Sequence, residues 1–477
     1  MMITMHNLNI INNKTKRSRV LAYLVLPTIT LLSACVEIQS SSHSTEKNNT
    51  PDTHKEEPGQ AKNVILFIGD GMGISTITAT RIFDGQSKDM EGEENSLAFD
   101  NFENVALIKT YNTNAQVPDS AGTATAIMSG YKTNIGTINV RPGQKYEGCG
   151  SIPAIKTLTD RSHSAGKSVG IVTTTRITHA TPAAMFAHAD NRNWESDNEV
   201  PREAKDAGCK SIAQQMVESE AEIIMGGGTS KFSENQLNTL KANYTFAENK
   251  ADMKNFKDGK LRALFSKSHM SFEADRDPAE QPSLAEMTET AIKNLKSNQE
   301  GYVLMVEAGR IDHAHHGTNA FRALTDAQAL NEAVKVAIEM ASEETLIMVT
   351  ADHSHVFTMA GYPVRGNPIL GLVKSIDQTT GLPSDSYEKA LDGKPYTTLG
   401  YHNGPHLRVA NADNRPLTNE DVQDRNYRQQ TAIPMNTETH AGEDVALFGH
   451  GPGSENIRGV MEQNKISDVI DLALGLN

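Results

Sequence analysis

Ser120 stands in the stretch VPDSAGTATAIMSG, preceded by Asp119 and followed by small residues that read as the tightly packed start of a helix. A serine hydroxyl is a weak nucleophile at neutral pH and needs a base, a metal ion or a positive field to activate it. Metal ligands are what the rest of the chain supplies. EAGRIDHAHH carries Glu307, then Asp312 and His316 at i and i+4, which share one face of a helical turn and can hold one ion between them. TADHSH adds Asp352 and His353, THAGED adds His440, and FIGD adds Asp70. One acidic residue after a strand is ordinarily a helix cap or a turn former. Several such residues together read otherwise. Mixed carboxylate and imidazole ligands suit zinc, all-oxygen sets suit magnesium, and this many ligands imply more than one metal.

The elements that must position these residues are legible as apolar runs. NVILFIGD, SVGIVTTT, AEIIMGGG, YVLMVEAG and TLIMVTAD are short and nearly continuous, as in strands covered on both faces. Helical patterns lie between them: SLAEMTETAIKNLKSN opens with a capping box, Ser283 and Glu286, and FRALTDAQALNEAVKVAIEMA keeps apolar residues at helical spacing. Alternating strands and helices predict an α/β fold, a large and mostly parallel central sheet with helices on both faces and surface insertions. Ligands bind such sheets beyond the carboxyl ends of the strands. Asp70 ends the first run, Glu307 lies near the end of the fourth, and Asp352 with His353 ends the fifth.

With 477 residues, 38% hydrophobic and 5% aromatic, the chain can bury one large core. A formal charge of −14, with Lys14, Lys16, Arg17 and Arg19 confined to the first segment, argues against a nucleic-acid partner. That segment, residues 1–34, reads as a signal peptide. Its apolar run VLAYLVLPTITLL is short for a membrane span, is interrupted by Pro27 and leads into LSAC. Leu32-Ser33-Ala34-Cys35 looks like a bacterial lipobox, which would lipidate Cys35 and anchor the exported protein in the envelope, with Val36 leaning towards the outer membrane; ordinary secretion or an uncleaved anchor are the alternatives. Residues 35–60 are polar and aperiodic and read as a tether of roughly 25–30 Å average reach. With Cys35 lipidated, Cys149 and Cys209 remain as an even pair in an oxidising compartment, expected to form a disulfide. Residues 61–477 then form the catalytic domain, with a variable stretch at about 375–430 that contains His402 and His406.

NVILFIGDGMG, PDSAGTATA, HATPAAMFAHADNRNW, EAGRIDHAHH, TADHSHVF and THAGEDVALFGHGP, in that order over residues 61–472, resemble the alkaline phosphatases, and the animal-type and marine bacterial ones more than the enteric type. The resemblance implies two zinc ions and one magnesium ion per subunit. Asp312, His316 and His440 would hold one zinc; Asp70, Asp352, His353 and the Ser120 oxygen the second; Asp70, Thr181 and Glu307 the magnesium. It further implies that Arg192, oriented by Asp119, grips the phosphate. Ser120 then attacks a phosphomonoester through a phosphoserine intermediate, with inorganic phosphate as product and inhibitor, in a homodimer. His179 and His313 lie where the enteric type has an aspartate and a lysine; His179 is implied to contact water on magnesium rather than the ion, and His313 to loosen the hold on phosphate. His315 and His355 read as packed histidines, and Trp194 as packing beside Arg192. A calcium site of animal-type relatives is expected to be missing, because Phe265-Ser266 replaces a Phe-Glu pair and Gln281 replaces an aspartate. A phosphodiesterase or sulfatase of the same superfamily would share the carboxylates, but Ser120 lacks the setting of a sulfatase nucleophile. A lipid-anchored phosphate- or metal-binding protein without turnover is the alternative from another class.

Overall fold

A computed structural model describes residues 60–150, 152, 154–406 and 417–476. The leader, Cys35 and nearly all of the tether lie outside the described residues. Among the described residues no helix is long and apolar enough to cross a membrane.

The strands, in chain order, are β1 (Asn63–Gly69), β2 (Asn104–Lys109), β3 (Ser168–Arg176), β4 (Ile223–Gly227), β5 (Thr245–Ala247), β6 (Leu261–Leu264), β7 (Tyr302–Ala308), β8 (Thr345–Ala351), β9 (Ser354–His355), β10 (Phe357–Met359), β11 (Leu399–Gly404), β12 (Thr431–Pro434), β13 (His440–Ala441), β14 (Val445–His450) and β15 (Gly459–Glu462). Ten of them form one sheet in the order β15-β2-β14-β8-β1-β7-β3-β4-β6-β5. Within it β14 runs against both of its neighbours, while the other pairings are parallel. The five apolar runs of the sequence are its centre, β8-β1-β7-β3-β4. Every residue of β1, β7 and β8 is buried, so helices must cover both faces. Ala320–Met340 packs on β1 and β7 beside Leu284–Leu295, and Lys465–Leu474 packs on β1 and on Ser120–Ser129. Strand β2 was harder to read from sequence, being short and leaving Val105 and Leu107 exposed.

Register places the chemistry. Gly69 of β1 pairs with Ala351 of β8 and with Ala308 of β7, so Asp70 and Asp352 leave adjacent strands side by side. Glu307 pairs with Ile68 on one side and Thr173 of β3 on the other, one level below. Beyond this edge β13 and β9 pair antiparallel and set His440 opposite His355. Part of the 375–430 stretch forms β11, which pairs with β10 and β12 in a separate three-stranded sheet.

The helix Ser120–Ser129 starts where Asp119, its N-cap, accepts from the Gly122 amide, and ends at Gly130 in the left-handed region. All ten of its residues are buried, which explains the small side chains. A Cβ on Gly122 would come within 2.5 Å of Asn112 Oδ1. The capping box at Ser283 and Glu286 is formed.

Cys149 and Cys209 form the disulfide, 60 residues apart in sequence. Closing a loop of that length stabilises the fold by about 4 kcal/mol in the chain-entropy model. Cys149→Ser with Cys209→Ser is expected to lower unfolding free energy by up to that amount without changing metal binding, checked by denaturant titration and metal analysis.

Candidate active site

Asp70, Glu307, Asp352, His353 and Thr181 are fully buried, and Ser120 and Asp312 nearly so. Of these, Ser120 and Asp312 line a cavity of about 330 Å³, together with Arg176, His179, Arg192, Asn193, Glu195, His313, His316 and His440.

Two sets of donor atoms have the spacing of a metal's ligands. His316 Nε2 and His440 Nε2 stand 3.3 and 3.2 Å from Asp312 Oδ1 and 3.2 Å from each other. Around His353 Nε2 lie Ser120 Oγ at 3.2 Å, Asp352 Oδ2 at 3.3 Å and Asp70 Oδ1 at 3.4 Å. Ligands about 2.0–2.1 Å from a tetrahedral zinc stand about 3.3–3.4 Å apart, so both sets fit that ion. The His353 and His440 rings stack at 3.6 Å between centroids, which makes the two sets neighbours. In a third set, Asp70, His179 and Glu307 each bring a ligand atom within 4.8 Å of the others.

The polar atoms left over also point to cations. Both carboxylate oxygens of Asp70, Glu307 Oε1, Thr181 Oγ1 and His179 Nδ1 are buried without a hydrogen-bond partner. Such atoms are costly unless something satisfies them. Burial, then repulsion from Asp352, Asp312 and Glu307, pushes the Asp70 carboxyl well up. Burial likewise raises Asp352, and brings Glu307 to about 7. Asp312 differs. Burial would raise it, but His316, with hydrogen bonds from His316, His355 and His440, holds it well below the usual range.

Arg192 reaches the cavity held at two points, Nη1 donating to Asp119 Oδ2 at 3.1 Å and Nη2 to His179 Nε2 at 3.0 Å. Asp119 thus contacts Arg192 directly. His313 lines the cavity with its ring 4.2 Å from that of His269, and Trp194 is buried. His315 is packed, between Thr76 Oγ1 and the Tyr401 hydroxyl. Neither His402 nor His406 lines the cavity. Ser266 Oγ donates to the Ser268 carbonyl, and Gln281 Oε1 accepts from the Ser271 amide.

His355 does more than pack. Its Nε2 lies 2.8 Å from Asp312 Oδ1 and its Nδ1 2.6 Å from Glu438 Oε2. Those two carboxylates overcome the effect of burial and raise the imidazole to about 10. Glu438 also accepts from the Val356 amide, and its carbonyl takes His316 Nδ1. Sequence reasoning missed this pair, although His353/His355 and Glu438/His440 both show the two-residue spacing of side chains on one strand face. Thr173, Thr175 and Thr123 were missed too. The first two donate to Glu307 Oε2 and the third to Asp352 Oδ2.

Stripped of cations, the protein should be sensitive to pH in a particular direction. Asp70, Asp352 and Glu307 have folded-state values above the ordinary ones, so protonation favours the folded form, and this stability is lost as pH rises through those values, about 7 for Glu307. Between about pH 5 and 8 the stripped protein is expected to lose about 3 kcal/mol of stability relative to stripped Glu307→Gln, which cannot ionise at that position. Reloading with zinc and magnesium should remove the fall; denaturant titrations of both forms at the two pH values check it.

The alkaline phosphatase family model matches residues 61–476. The tissue-nonspecific alkaline phosphatase of Gallus gallus is 43% identical over 444 residues, covering 85% of this chain and 83% of its own. The alkaline phosphatase of Gadus morhua is 41% identical, covering 85% and 90%. Among solved structures, alkaline phosphatase from the Antarctic bacterium TAB5 matches with TM-score 0.61 at 24% identity, covering 88% of this chain and all of its own, and that of Thermus thermophilus with 0.63 at 22%, covering 90% and 96%; these two share the fold.

Proposed function

We propose, for a chain that belongs to the alkaline phosphatase family and is a metal-dependent phosphomonoesterase, that Ser120 is the group phosphorylated during turnover and that two zinc ions and one magnesium ion serve each subunit. Asp312, His316 and His440 would hold one zinc, Asp70, Asp352, His353 and Ser120 Oγ the other, and Asp70, Thr181 and Glu307 the magnesium. When bound, these ions supply Lewis acidity at the serine hydroxyl and at the departing ester oxygen.

Arg192 offers two parallel N–H groups to phosphoryl oxygens, and Asp119 fixes the direction of the fork. Ser120 sits at the first turn of its helix, where unpaired amides and the helix dipole favour the same anion. With phosphorus in line, the Ser120 Oγ–P bond forms as the ester O–P bond breaks, and the alcohol leaves with a proton. Water then attacks the phosphoserine, its oxygen bonding to phosphorus as the Ser120 Oγ–P bond breaks, one water proton passes to Ser120 Oγ, and inorganic phosphate is released. The observation that carries this reading is the position of Ser120 Oγ, 3.2 Å from His353 Nε2 at the head of a buried helix and inside the cavity that Arg192 lines. Export, a lipid on Cys35 and a homodimer complete the proposal, supported by the leader sequence and by family resemblance.

Ser120→Ala is expected to abolish phosphoserine formation and lower kcat on p-nitrophenyl phosphate at least about a thousandfold. Mass spectrometry of acid-quenched enzyme and steady-state rates check it, with bis-p-nitrophenyl phosphate and nitrocatechol sulfate as the diesterase and sulfatase comparisons. A variant that keeps most of its turnover would remove Ser120 from the mechanism. Cys35→Ser should move the protein out of the membrane fraction with its specific activity unchanged; continued membrane association would instead indicate an uncleaved anchor.

A further inference from the structure

A second guanidinium lines the cavity that holds Ser120 and Arg192. Arg176, the last residue of β3, lines it together with Asn193 and Glu195. Its Nε and Nη2 each donate to Glu195 at 2.7 Å, as a parallel fork. Thr178 Oγ1 donates to the same carboxylate at 2.6 Å, and Lys231 Nζ stands 3.3 Å from it and 2.6 Å from Glu199. A carboxylate has about four lone-pair directions, and four donors occupy those of Glu195. It has nothing left to offer a cation or a donor in the cavity.

The arginine is not used up in the same way. Of its five N–H groups two go to Glu195, and Nη1 is directed at His269 Nε2 and the Ser268 hydroxyl. One N–H of Nη2 is left without a partner among the described residues. The Arg176 side chain is also the more open of the pair, 17% exposed against 8% for Glu195. Asn193 is exposed and bonds to Asn191 through its backbone amide, while its carboxamide has no partner among the described residues and brings two more N–H donors. This wall of the cavity therefore offers hydrogen-bond donors and a positive charge, and its one carboxylate is already neutralised.

We propose that Arg176 and Asn193 form a second anion subsite beside the phosphate clamp, so that the enzyme favours phosphomonoesters whose alcohol carries a further oxyanion, a carboxylate or a second phosphate, over those of uncharged alcohols. Glu195 stands behind the subsite as a positioning residue: it fixes the direction of the Arg176 fork, and Lys231 offsets its charge. The subsite rests on the reading of Ser120 and Arg192 as the groups that take the phosphoryl end of the ester.

The test measures kcat/KM of the zinc- and magnesium-loaded enzyme on two matched pairs, 2-phosphoglycerate with glycerol 2-phosphate and 3-phosphoglycerate with glycerol 1-phosphate. The members of a pair differ only by a carboxylate in place of a hydroxymethyl group, set at two distances from the phosphate. In the wild type the carboxylate member is expected to be favoured in at least one pair. Arg176→Met with Glu195→Gln removes one charge of each sign, leaves the net charge of the wall unchanged, and should lower the carboxylate-to-hydroxymethyl ratio about tenfold, the worth of one hydrogen bond to a charged group. Asn193→Ala, at an exposed position, should lower it about threefold. The ratio is taken within one enzyme, so a general loss of folded protein or of turnover does not move it. No carboxylate preference in either pair overturns the subsite, as does a ratio unmoved in the double variant or, where that variant does not fold, in Asn193→Ala. A wild type that hydrolyses no member of either pair overturns the reading of the phosphate site and the subsite together.

Discussion

Asp70, Glu307 and Asp352 leave three adjacent strands, β1, β7 and β8, within a layer that admits no solvent, and their mutual repulsion is the condition the surrounding structure has to meet. At an effective dielectric of about 20, two charges 4 Å apart interact by about 4 kcal/mol, a large share of a domain's net stability. Neutral hydroxyls moderate the repulsion, Thr173 and Thr175 at Glu307 and Thr123 at Asp352, and the Gly71 and His353 amides donate to Asp352 as well. Asp70 receives none of this help and is left for cations to neutralise. Metal binding and folding of this edge are therefore one free energy, expressed in one place.

Asp312 has the opposite surroundings. It lies on the turn Arg310–His316 rather than at a strand end, and three imidazoles, from His316, His355 and His440, converge on its Oδ1. Behind them Glu438 takes His355, so a carboxylate–imidazole–carboxylate chain runs from β9 and the approach to β13 into the ligand cluster. Partners behind a ligand fix its orientation and tune its hold on the ion, commonly by a factor of about 10–100 when lost. Two carboxylate environments thus stand side by side, one kept ionised by imidazoles and one that only a cation keeps ionised.

The central strands and the site residues at their ends were readable because full burial writes continuous apolar runs and because strand ends are few. Asp70, Asp352 and His353 could be placed from that alone, and Asp312 with His316 from helical spacing. Sequence reasoning failed where positions depend on pairing between distant short strands: β9 and β13 are two residues each, too brief for periodicity, and only their pairing sets His355 beside His440. The reversed strand β14 and its neighbour β2 follow the same rule, and β2, half-exposed between β15 and β14, also carries a weak pattern. Thr181 is a different case. Nothing in HATPAA distinguishes a ligand hydroxyl from a turn residue, and the resemblance alone marked it.

Phosphoryl transfer demands that nucleophile and clamp meet one phosphorus from fixed directions, and a single carboxylate ties the two together here. Asp119 caps the Ser120 helix through the Gly122 amide, takes the Asn112 side chain at 3.1 Å and the Gly136 amide at 3.0 Å, and holds Arg192 at 3.1 Å. The Gly136 carbonyl in turn accepts the Arg192 amide at 2.8 Å, so the arginine is held by its side chain at the N-cap of the Ser120–Ser129 helix and by its backbone at a segment beyond that helix, which Asp119 also binds. Gly122 has no room for a side chain against Asn112, which keeps that network close. The positions of Ser120 and Arg192 are consequently not independent, because Asp119 contacts both the helix that carries Ser120 and the guanidinium. Because misplacement by about 1 Å can cost a hundredfold in rate, this shared carboxylate does for geometry what the metal ligands do for charge.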